Sequence, residues 1–252
     1  MKIVAVVPAN YMPHMHYFQM MYVVDEMYID DDAHYIRNSW QDGNRIRWQA
    51  GVKWLRVPTV RPDLDYPKQR LSETRIDYSR DWNGMHANLI KEAYHGSQFF
   101  ELYYKDLEDL LLNTRLKLID LDVDLVELFF KKHLELETPV LRTSSVNYER
   151  ENPDPNVRLK KFLQAVGATT LVEFEGGKTW LDEGVLKGAG VELRWFHPET
   201  EVYIQNHPGF DWRVCALDAL FSLGPMATGQ ARKVEWHDAE VLEDHMDGDL
   251  FG

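Results

Sequence analysis

The pattern of apolar and polar residues along the chain predicts a succession of strands and helices. The run 2–8, KIVAVVP, is apolar and ends at a proline, which is typical of a buried strand. After Pro13, apolar side chains recur every three or four residues, at Tyr17, Met20, Met21 and Val24. This spacing predicts a helix that buries one face. Residues 27–32, MYIDDD, predict the next strand, which ends in three carboxylates.

The middle of the chain has helical periodicity, and alternation of helix and strand returns after it. Residues 45–60 predict a hairpin that turns at Gln49-Ala50-Gly51. Three successive helices are predicted at 79–94, 99–113 and 115–134. Strands are predicted at 139–146, 169–174 and 191–196, with a short helix at 178–190. Asp154 and Pro155 suit the N-cap and first position of a further helix, which we expect to end at Gly167.

Together these elements predict the α/β class, with a mainly parallel sheet, flanking helices and a mostly helical insertion at about 79–137. We expect one domain over residues 1–227, followed by an acidic C-terminal tail at 228–252. Ligand sites in such sheets lie at the carboxyl ends of the strands. Here those ends are 8–11, PANY, and 30–34, DDDAH, so both segments are predicted to face one crevice.

Composition and charge narrow the classes of protein that fit. The chain has 252 residues, 44% of them hydrophobic, which is enough for a substantial core. A net charge of −13 disfavours bulk nucleic-acid binding but is compatible with a local basic pocket. The single cysteine, Cys215, excludes an intramolecular disulfide and a cysteine-rich zinc site, so a buried thiol is expected.

The apolar runs are too short for a membrane span. A membrane helix needs roughly 18 apolar residues in succession, and the longest runs fall well short of that length. No signal peptide is visible before the first predicted strand. We therefore expect a cytoplasmic protein without membrane insertion.

Several motifs together resemble the WbqC-like protein family. They are NYMP at 10–13, DDAHYIRNSWQDGNRIR at 31–47, WLRVPTV at 54–60, GGKTWLD at 176–182 and ALDALFSLGP at 216–225. The resemblance spans about residues 1–227 and implies a role in surface polysaccharide or O-antigen biosynthesis. The family signature begins with His-Gln-Pro, whereas Val7, Pro8 and Ala9 stand at those positions here.

Two histidines, His14 and His16, follow the place where the family histidine is missing. On a strand they would share one face and suit a metal, but on a helix they would point about 200° apart. Pro13 favours a loop or a helix start. Three interpretations stay open: a Zn or Fe site completed by His34 and the aspartates at 30–32, a helix start with ordinary polar contacts, or a catalytic role. No metal ligand set is assigned and the cofactor is unknown.

The block 30–47 predicts a polar site. Three successive aspartates repel one another unless cations lie nearby, and Arg37, Arg45 and Arg47 supply them. One interpretation is an internal salt-bridge network. The other is a substrate pocket, in which Asp31 or Asp32 acts as a base or as a hydroxyl acceptor. The substrate-binding side chains predicted around it are Asn10, Tyr11, Arg37, Trp40, Asn44 and Arg45.

The motif GGKT at 176–179 is not a phosphate-binding P-loop, because that motif needs glycine at position 172 and Val172 stands there. A weaker anion site remains, in which the main chain at Gly177 and the side chain of Lys178 contact an anion at a helix start. An ordinary strand-to-helix turn is the alternative, and the flanking Glu173 and Glu175 disfavour a highly charged anion.

The resemblance and the polar site together lead to one main functional hypothesis. The protein is predicted to transfer an acyl or aminoacyl-type group onto an amine or hydroxyl of an activated, anionic small molecule that bears phosphate or carboxylate. His14, His16 or His34 would be the base, oriented by Asp31 or Asp32, while Arg37, Arg45 and Lys178 hold the anion. The alternatives are a protein that modifies nucleotides or nucleic acid, and a ligand-binding homologue without catalysis. The oligomeric state is not predicted.

Overall fold

The computed structural model describes residues 1–49, 51–60 and 69–234. Its strands are β1 (Ile3–Pro8), β2 (Glu26–Asp30), β3 (Gly43–Trp48), β4 (Gly51–Arg56), β5 (Val140–Arg142), β6 (Thr170–Phe174) and β7 (Glu192–Phe196). Five of them form one sheet in the order β5-β2-β1-β6-β7, and every neighbouring pair in it is parallel. β3 and β4 form a separate antiparallel hairpin. The predicted α/β class with a mainly parallel sheet is confirmed.

Helices cover the sheet and make up most of the insertion. They are α1 (Met15–Tyr22), α2 (Trp82–Tyr94), α3 (Phe100–Leu112), α4 (Leu118–Asp124), α5 (Lys131–His133), α6 (Pro155–Val166), α7 (Glu183–Lys187), α8 (Leu217–Leu223) and α9 (Ala227–Arg232). A π-helical segment, Leu125–Phe130, joins α4 to α5. Asp154 caps α6 by accepting a hydrogen bond from the Asn156 amide at 2.8 Å, and Gly167 ends it with φ 69°, both as predicted.

Alternating side chains on the central strands pack into two separate cores. Ala5 and Val7 of β1 belong to the larger core, which includes α1 and the helices of the insertion. Val4 belongs to the smaller core, which is built with α6 and α7. Burying one such side chain completely stabilises the fold by about 1.5–3 kcal/mol. The first strand is therefore apolar at successive positions because both faces of the sheet are covered.

Two predicted elements are shorter in the structure. The predicted strand 139–146 is reduced to β5, and the chain then makes a 3₁₀ turn at Thr143–Ser145, whose polar groups bond to the end of β2. The predicted helix 178–190 is reduced to α7, which follows a 3₁₀ turn at Glu175–Thr179. Asp182 starts this helix because its carboxylate accepts from the Gly184 amide at 2.9 Å.

The segment that follows residue 227 is partly helical. α9 continues to Arg232, and its Thr228, Gln230 and Ala231 are buried. Residues 235–252, the main part of the predicted tail, lie outside the described residues, as does Ala50 of the predicted hairpin turn. The predicted domain extent therefore stays a prediction.

The absence of a side chain at Gly43 leaves room for the side chain of Arg56 on the neighbouring strand. It pairs with Arg56 of β4, and a Cβ on Gly43 would lie only 2.5 Å from Cδ of Arg56 and 2.6 Å from the Leu55 carbonyl oxygen. The guanidinium of Arg56 passes this point to reach the carboxylate of Asp42 at 2.9 Å. It also lies 3.8 Å from the ring centroid of Trp54.

We expect Gly43→Ala to lower the free energy of unfolding by about 1–3 kcal/mol, because the added methyl group displaces Arg56. Denaturant unfolding followed by circular dichroism measures the change. Gly229→Ala is the matched control, since its Cβ would meet no atom within 4 Å and it lies inside α9. The control is expected to gain about 0.5–1 kcal/mol. Equal effects of the two substitutions would contradict the steric account.

Candidate functional site

The loop after β1 is held in an unusual main-chain conformation. Met12 has φ 49°, in the left-handed region that costs a non-glycine residue about 1–2 kcal/mol. Two hydrogen bonds with the segment 40–44 hold this loop. Asn44 Nδ2 donates to the Met12 carbonyl at 2.8 Å, and the Tyr11 amide donates to the Trp40 carbonyl at 2.9 Å. The loop therefore presents the next residues, 13–16, in a fixed orientation.

His14 is the N-cap residue of α1, and its imidazole is enclosed by aromatic and charged groups. Its ring lies edge-on to Trp40 with 4.7 Å between centroids. Burial lowers the pKa of His14 to about 3, and the positive charges of His16 and Arg45 act in the same direction. Among the described residues, Nε2 of His14 has no hydrogen-bond partner. At neutral pH this histidine is therefore uncharged, and its Nε2 is a buried ring nitrogen without a partner in the described part of the chain.

Arg45 lies beside this imidazole and stacks on two indoles. Its guanidinium carbon is 4.8 Å from the Trp40 ring centroid and 5.3 Å from that of Trp54, which is 41% exposed. Burial pushes the pKa of Asp211 upward, but hydrogen bonds from Arg213 and the charge of Arg45 lower it overall. We refer to His14, Trp40, Arg45, Trp54 and Asp211 as the His14 cluster. It combines a cation, a carboxylate, two indole rings and an uncharged imidazole, and the indole of Trp54 reaches solvent.

His16 belongs to a different set of contacts. Its Nε2 lies 2.8 Å from the Thr200 hydroxyl oxygen, and its ring stacks on Trp212 with 5.7 Å between centroids. Burial lowers the pKa of His16 to about 4. His14 is the N-cap residue and His16 lies in the first turn of α1, and both reach the segment 211–213, since His14 also forms a hydrogen bond with the main chain of Arg213. Over the ranges the structure describes, no group of three His, Cys, Asp or Glu side chains is arranged to hold a metal ion.

The carboxylates after β2 bond to residues other than the predicted histidines and arginines. Asp31 is 1% exposed and accepts three hydrogen bonds, from the Thr143 hydroxyl at 3.2 Å and from the Ser144 amide and hydroxyl at 2.9 and 2.7 Å. Asp32 forms ion pairs with Arg150 at 2.8 Å and with Arg70 at 3.4 Å. The hydrogen bonds of Asp31 and the ion pairs of Asp32 therefore hold the end of β2 against the segments 70–73 and 143–150.

Other predicted residues are distributed along the same edge of the sheet. His34 is exposed, and Arg37 and Asn10 are half-buried. Gly177 is buried and Lys178 forms an ion pair with Glu175, in the turn that follows β6. The segments that carry all the predicted residues follow β1, β2 and β6, or belong to the hairpin.

The structure therefore brings some predicted site residues together and leaves others apart. Tyr11, His14, Trp40, Asn44 and Arg45 converge on the loop after β1. Asn10 and His16 lie on the segment after β1 outside these contacts, and the other predicted residues lie after β2 or β6; they are Asp31, Asp32, His34, Arg37, Gly177 and Lys178. The catalytic or binding roles of all the predicted residues stay predictions.

Two buried residues of the insertion, His86 and Asp122, lie near the same loop and are not among the site residues predicted above. The Tyr11 hydroxyl lies 2.9 Å from Nδ1 of His86 on α2. Burial lowers the pKa of His86 to about 4, while a hydrogen bond with the main chain of Arg56 raises it. Asp122 of α4 is fully buried. Its position could have been found, because residues 118, 122, 125 and 129 follow the helical spacing of a buried stripe.

A model of the WbqC-like protein family matches residues 9–230 of the sequence. The chain belongs to the WbqC-like protein family. It is 28% identical over 233 residues to the uncharacterized protein Rv1507c of Mycobacterium tuberculosis, and that match spans 92% of this chain and 98% of the relative. No solved structure matches the chain. Family membership thus confirms the resemblance seen in the motifs.

The most specific family block serves largely as a framework for the His14 cluster. In QDGN at 41–44, Gln41 accepts from the Ile36 amide at 2.7 Å, and Asp42 accepts from the Tyr35 hydroxyl at 2.6 Å. Asn44 holds the Met12 carbonyl, and Gly43 makes room for a side chain of β4.

In the part of the chain that the structure describes, no helix has the length and apolar character to cross a membrane.

We expect Asp31→Ala to lower the free energy of unfolding by about 1–3 kcal/mol, because it leaves the amide and the hydroxyl of Ser144 without their acceptor. Denaturant unfolding measures this change. Asp109→Ala, which removes only an exposed ion pair on α3, should change stability by less than about 0.5 kcal/mol. If Asp31→Ala were as mild as this control, the structural role of Asp31 would be wrong.

His86 should contribute a pH dependence to stability. Its folded pKa of about 4 lies below the ordinary value of 6.5, so the unfolded chain binds the proton first as pH falls. Its contribution is fully present above pH 6.5 and is lost progressively between pH 6.5 and 4. In His86→Asn, the slope of unfolding free energy against pH in this window should be shallower by up to about 1.4 kcal/mol per pH unit. Parallel curves for the two proteins would refute this assignment.

Proposed function

We propose that this protein is an enzyme that transfers a group onto an amine or hydroxyl of an activated, anionic small molecule. Family membership alone supports a place in surface-glycan or related small-molecule biosynthesis. The chemistry rests on one observation. The neutral imidazole of His14 has a ring nitrogen without a partner in the described part of the chain, directly beside the stacked cation of Arg45.

In this proposal Arg45 binds the phosphate or carboxylate of the substrate. A guanidinium suits these groups because its fork of donors matches two oxygens. Trp40 and Trp54 pack against the guanidinium, and the exposed part of Trp54 can contact the sugar or base of a substrate bound to Arg45. Arg37 and Lys178 stay predicted as further contacts to the anion.

His14 acts as the proton acceptor for the attacking amine or hydroxyl. A pKa of about 3 makes the free imidazole a weak base, since a general base works best near the operating pH. Arg45 contributes to this low pKa by charge repulsion. A bound anion would neutralise that charge, so substrate binding itself would raise the basicity of His14.

A non-catalytic ligand-binding role is the second candidate. The low pKa of His14 favours it, as does the buried Val7 at the position of the family histidine. Both candidate functions bind the ligand through Arg45. They differ in whether the bound ligand is then converted to product. His16 and His34 stay predicted as alternative bases, and a cytoplasmic location stays a prediction.

We expect nucleotide sugars or acyl-coenzyme A donors to raise the melting temperature of the full chain, and Arg45→Ala to weaken their binding about 10- to 100-fold. This range corresponds to the loss of one charged hydrogen bond, about 1.5–3 kcal/mol. A thermal-shift screen followed by calorimetry measures it. Arg194→Ala is the charge-matched control, because Arg194 pairs with Glu192 on the outer strand β7. Wild-type affinity in Arg45→Ala would overturn the site.

His14→Ala separates catalysis from binding in the same assays. With an amine acceptor and a donor that binds, the variant should keep the affinity for the donor and lose group transfer measured by mass spectrometry. Undiminished transfer would show that His14 is not the base. Binding without transfer in the wild type would favour the non-catalytic candidate.

A further inference from the structure

A long connection without helix or strand crosses the start of α1. It runs from the end of β7 at Phe196 to the start of α8 at Leu217. Among the described residues, no hydrogen bond between main-chain groups joins residues 199–213 to the rest of the protein. Connections longer than roughly 12–15 residues without secondary structure are uncommon in compact domains, and many of them are lids or binding loops. We refer to residues 199–213 as the strap.

The strap contacts both histidines at the start of α1. The Thr200 hydroxyl lies 2.8 Å from Nε2 of His16, and the Trp212 ring stacks on the same imidazole with 5.7 Å between centroids. The main chain of Arg213 forms a hydrogen bond with His14. Nε2 of His14 and Nδ1 of His16 are nevertheless buried without a partner in the described ranges. The strap therefore packs against two rings that each keep one nitrogen unbonded.

Side chains provide the other attachments of the strap. The Tyr203 hydroxyl donates to Oδ1 of Asp218 on α8 at 2.8 Å. Further bonds between the strap and its surroundings also use side chains, among them those of Gln19, Arg47 and Asn206. Two apolar side chains point away from the protein, since Val202 is 73% and Ile204 is 92% exposed. A segment without main-chain pairing and with exposed apolar residues opens at a lower free-energy cost than a strand or helix of the core.

Bonds within the strap join its two ends into one unit. Gln205 Nε2 donates to the Asp211 carbonyl at 2.9 Å, and the Asp211 amide donates back to Oε1 of Gln205 at 2.9 Å. Gly209, with φ 80°, permits the turn between these two residues. The part that carries Thr200 and the part that carries Trp212 should therefore move together.

We propose that the strap is a lid, which opens to admit a ligand to His14 and His16 and then closes over both rings. In the closed state, burial is the main cause that lowers the pKa of His14 to about 3 and that of His16 to about 4. Opening removes part of this burial, so both pKa values move towards the ordinary value of 6.5, at which an imidazole is a better base. This last consequence rests on the proposed function, whereas the lid itself does not.

Diethyl pyrocarbonate tests the lid, because it modifies neutral imidazoles that solvent can reach. Mass spectrometry at neutral pH measures the rate at each histidine. We expect His14 and His16 of the wild type to react far more slowly than the exposed His34. Tyr203→Phe, which removes the bond to Asp218, should raise both slow rates together by about 5- to 10-fold. Unchanged rates in Tyr203→Phe, or wild-type rates equal to that of His34, would overturn the lid.

Tyr104→Phe is the matched control. It removes a buried hydroxyl that donates to the Ala87 carbonyl in the insertion at 3.1 Å, away from the strap. We expect the rates at His14 and His16 to stay as in the wild type. Equal acceleration in Tyr203→Phe and Tyr104→Phe would indicate a general loss of stability and contradict the lid.

Thr200→Val distinguishes a lid from a local contact. It removes the hydroxyl that bonds to His16, whereas Thr200→Ser keeps one. If the strap opens as one unit, Thr200→Val should speed the reaction at both His14 and His16, and Thr200→Ser should react like the wild type. Acceleration at His16 alone would overturn the proposal. These assays contain no substrate, so their outcome is independent of whether Arg45 binds an anion.

Discussion

The hydrogen bond from Asn44 to the carbonyl of Met12 holds the loop on which the candidate site depends. It stabilises a left-handed residue directly after the central strand, at the edge of a parallel sheet where ligands generally bind. On one side of this loop His14 begins α1 and contacts Trp40. On the other side Tyr11 reaches the insertion and bonds to His86. Without a fixed loop, neither set of side chains would have a defined geometry.

The hairpin of β3 and β4 can hold the loop after β1 in place because its own geometry is fixed. Asp42 accepts from Tyr35 and pairs with Arg56, which crosses the hairpin over Gly43. Arg45, on the strand next to these residues, is held by two indoles. Most polar residues of this motif therefore hold the hairpin and the loop in place, while its Trp40 and Arg45 belong to the His14 cluster.

Buried polar atoms without partners occur in the His14 cluster and elsewhere among the described residues. Nε2 of His14 and both carboxyl oxygens of Asp122 lack partners in the described ranges, although a stable core normally avoids such groups. Residues that lower the stability of the folded protein without an evident structural benefit often have a functional role.

Local periodicity in the sequence determined the order of strands and helices, the buried face of α1 with Met20 and Met21, and the capping of α6 by Asp154. It also predicted that the segments after the parallel strands carry the candidate site residues, and the structure places the loop after β1 at that edge of the sheet. Only the tertiary structure decided the partners of the ionisable side chains. Asp31 bonds to Ser144, which is 113 residues away, and Tyr11 bonds to His86, which is 75 residues away. Short-range patterns specify which faces are buried, but the pairing of charges depends on which distant segments the packing of those faces brings together.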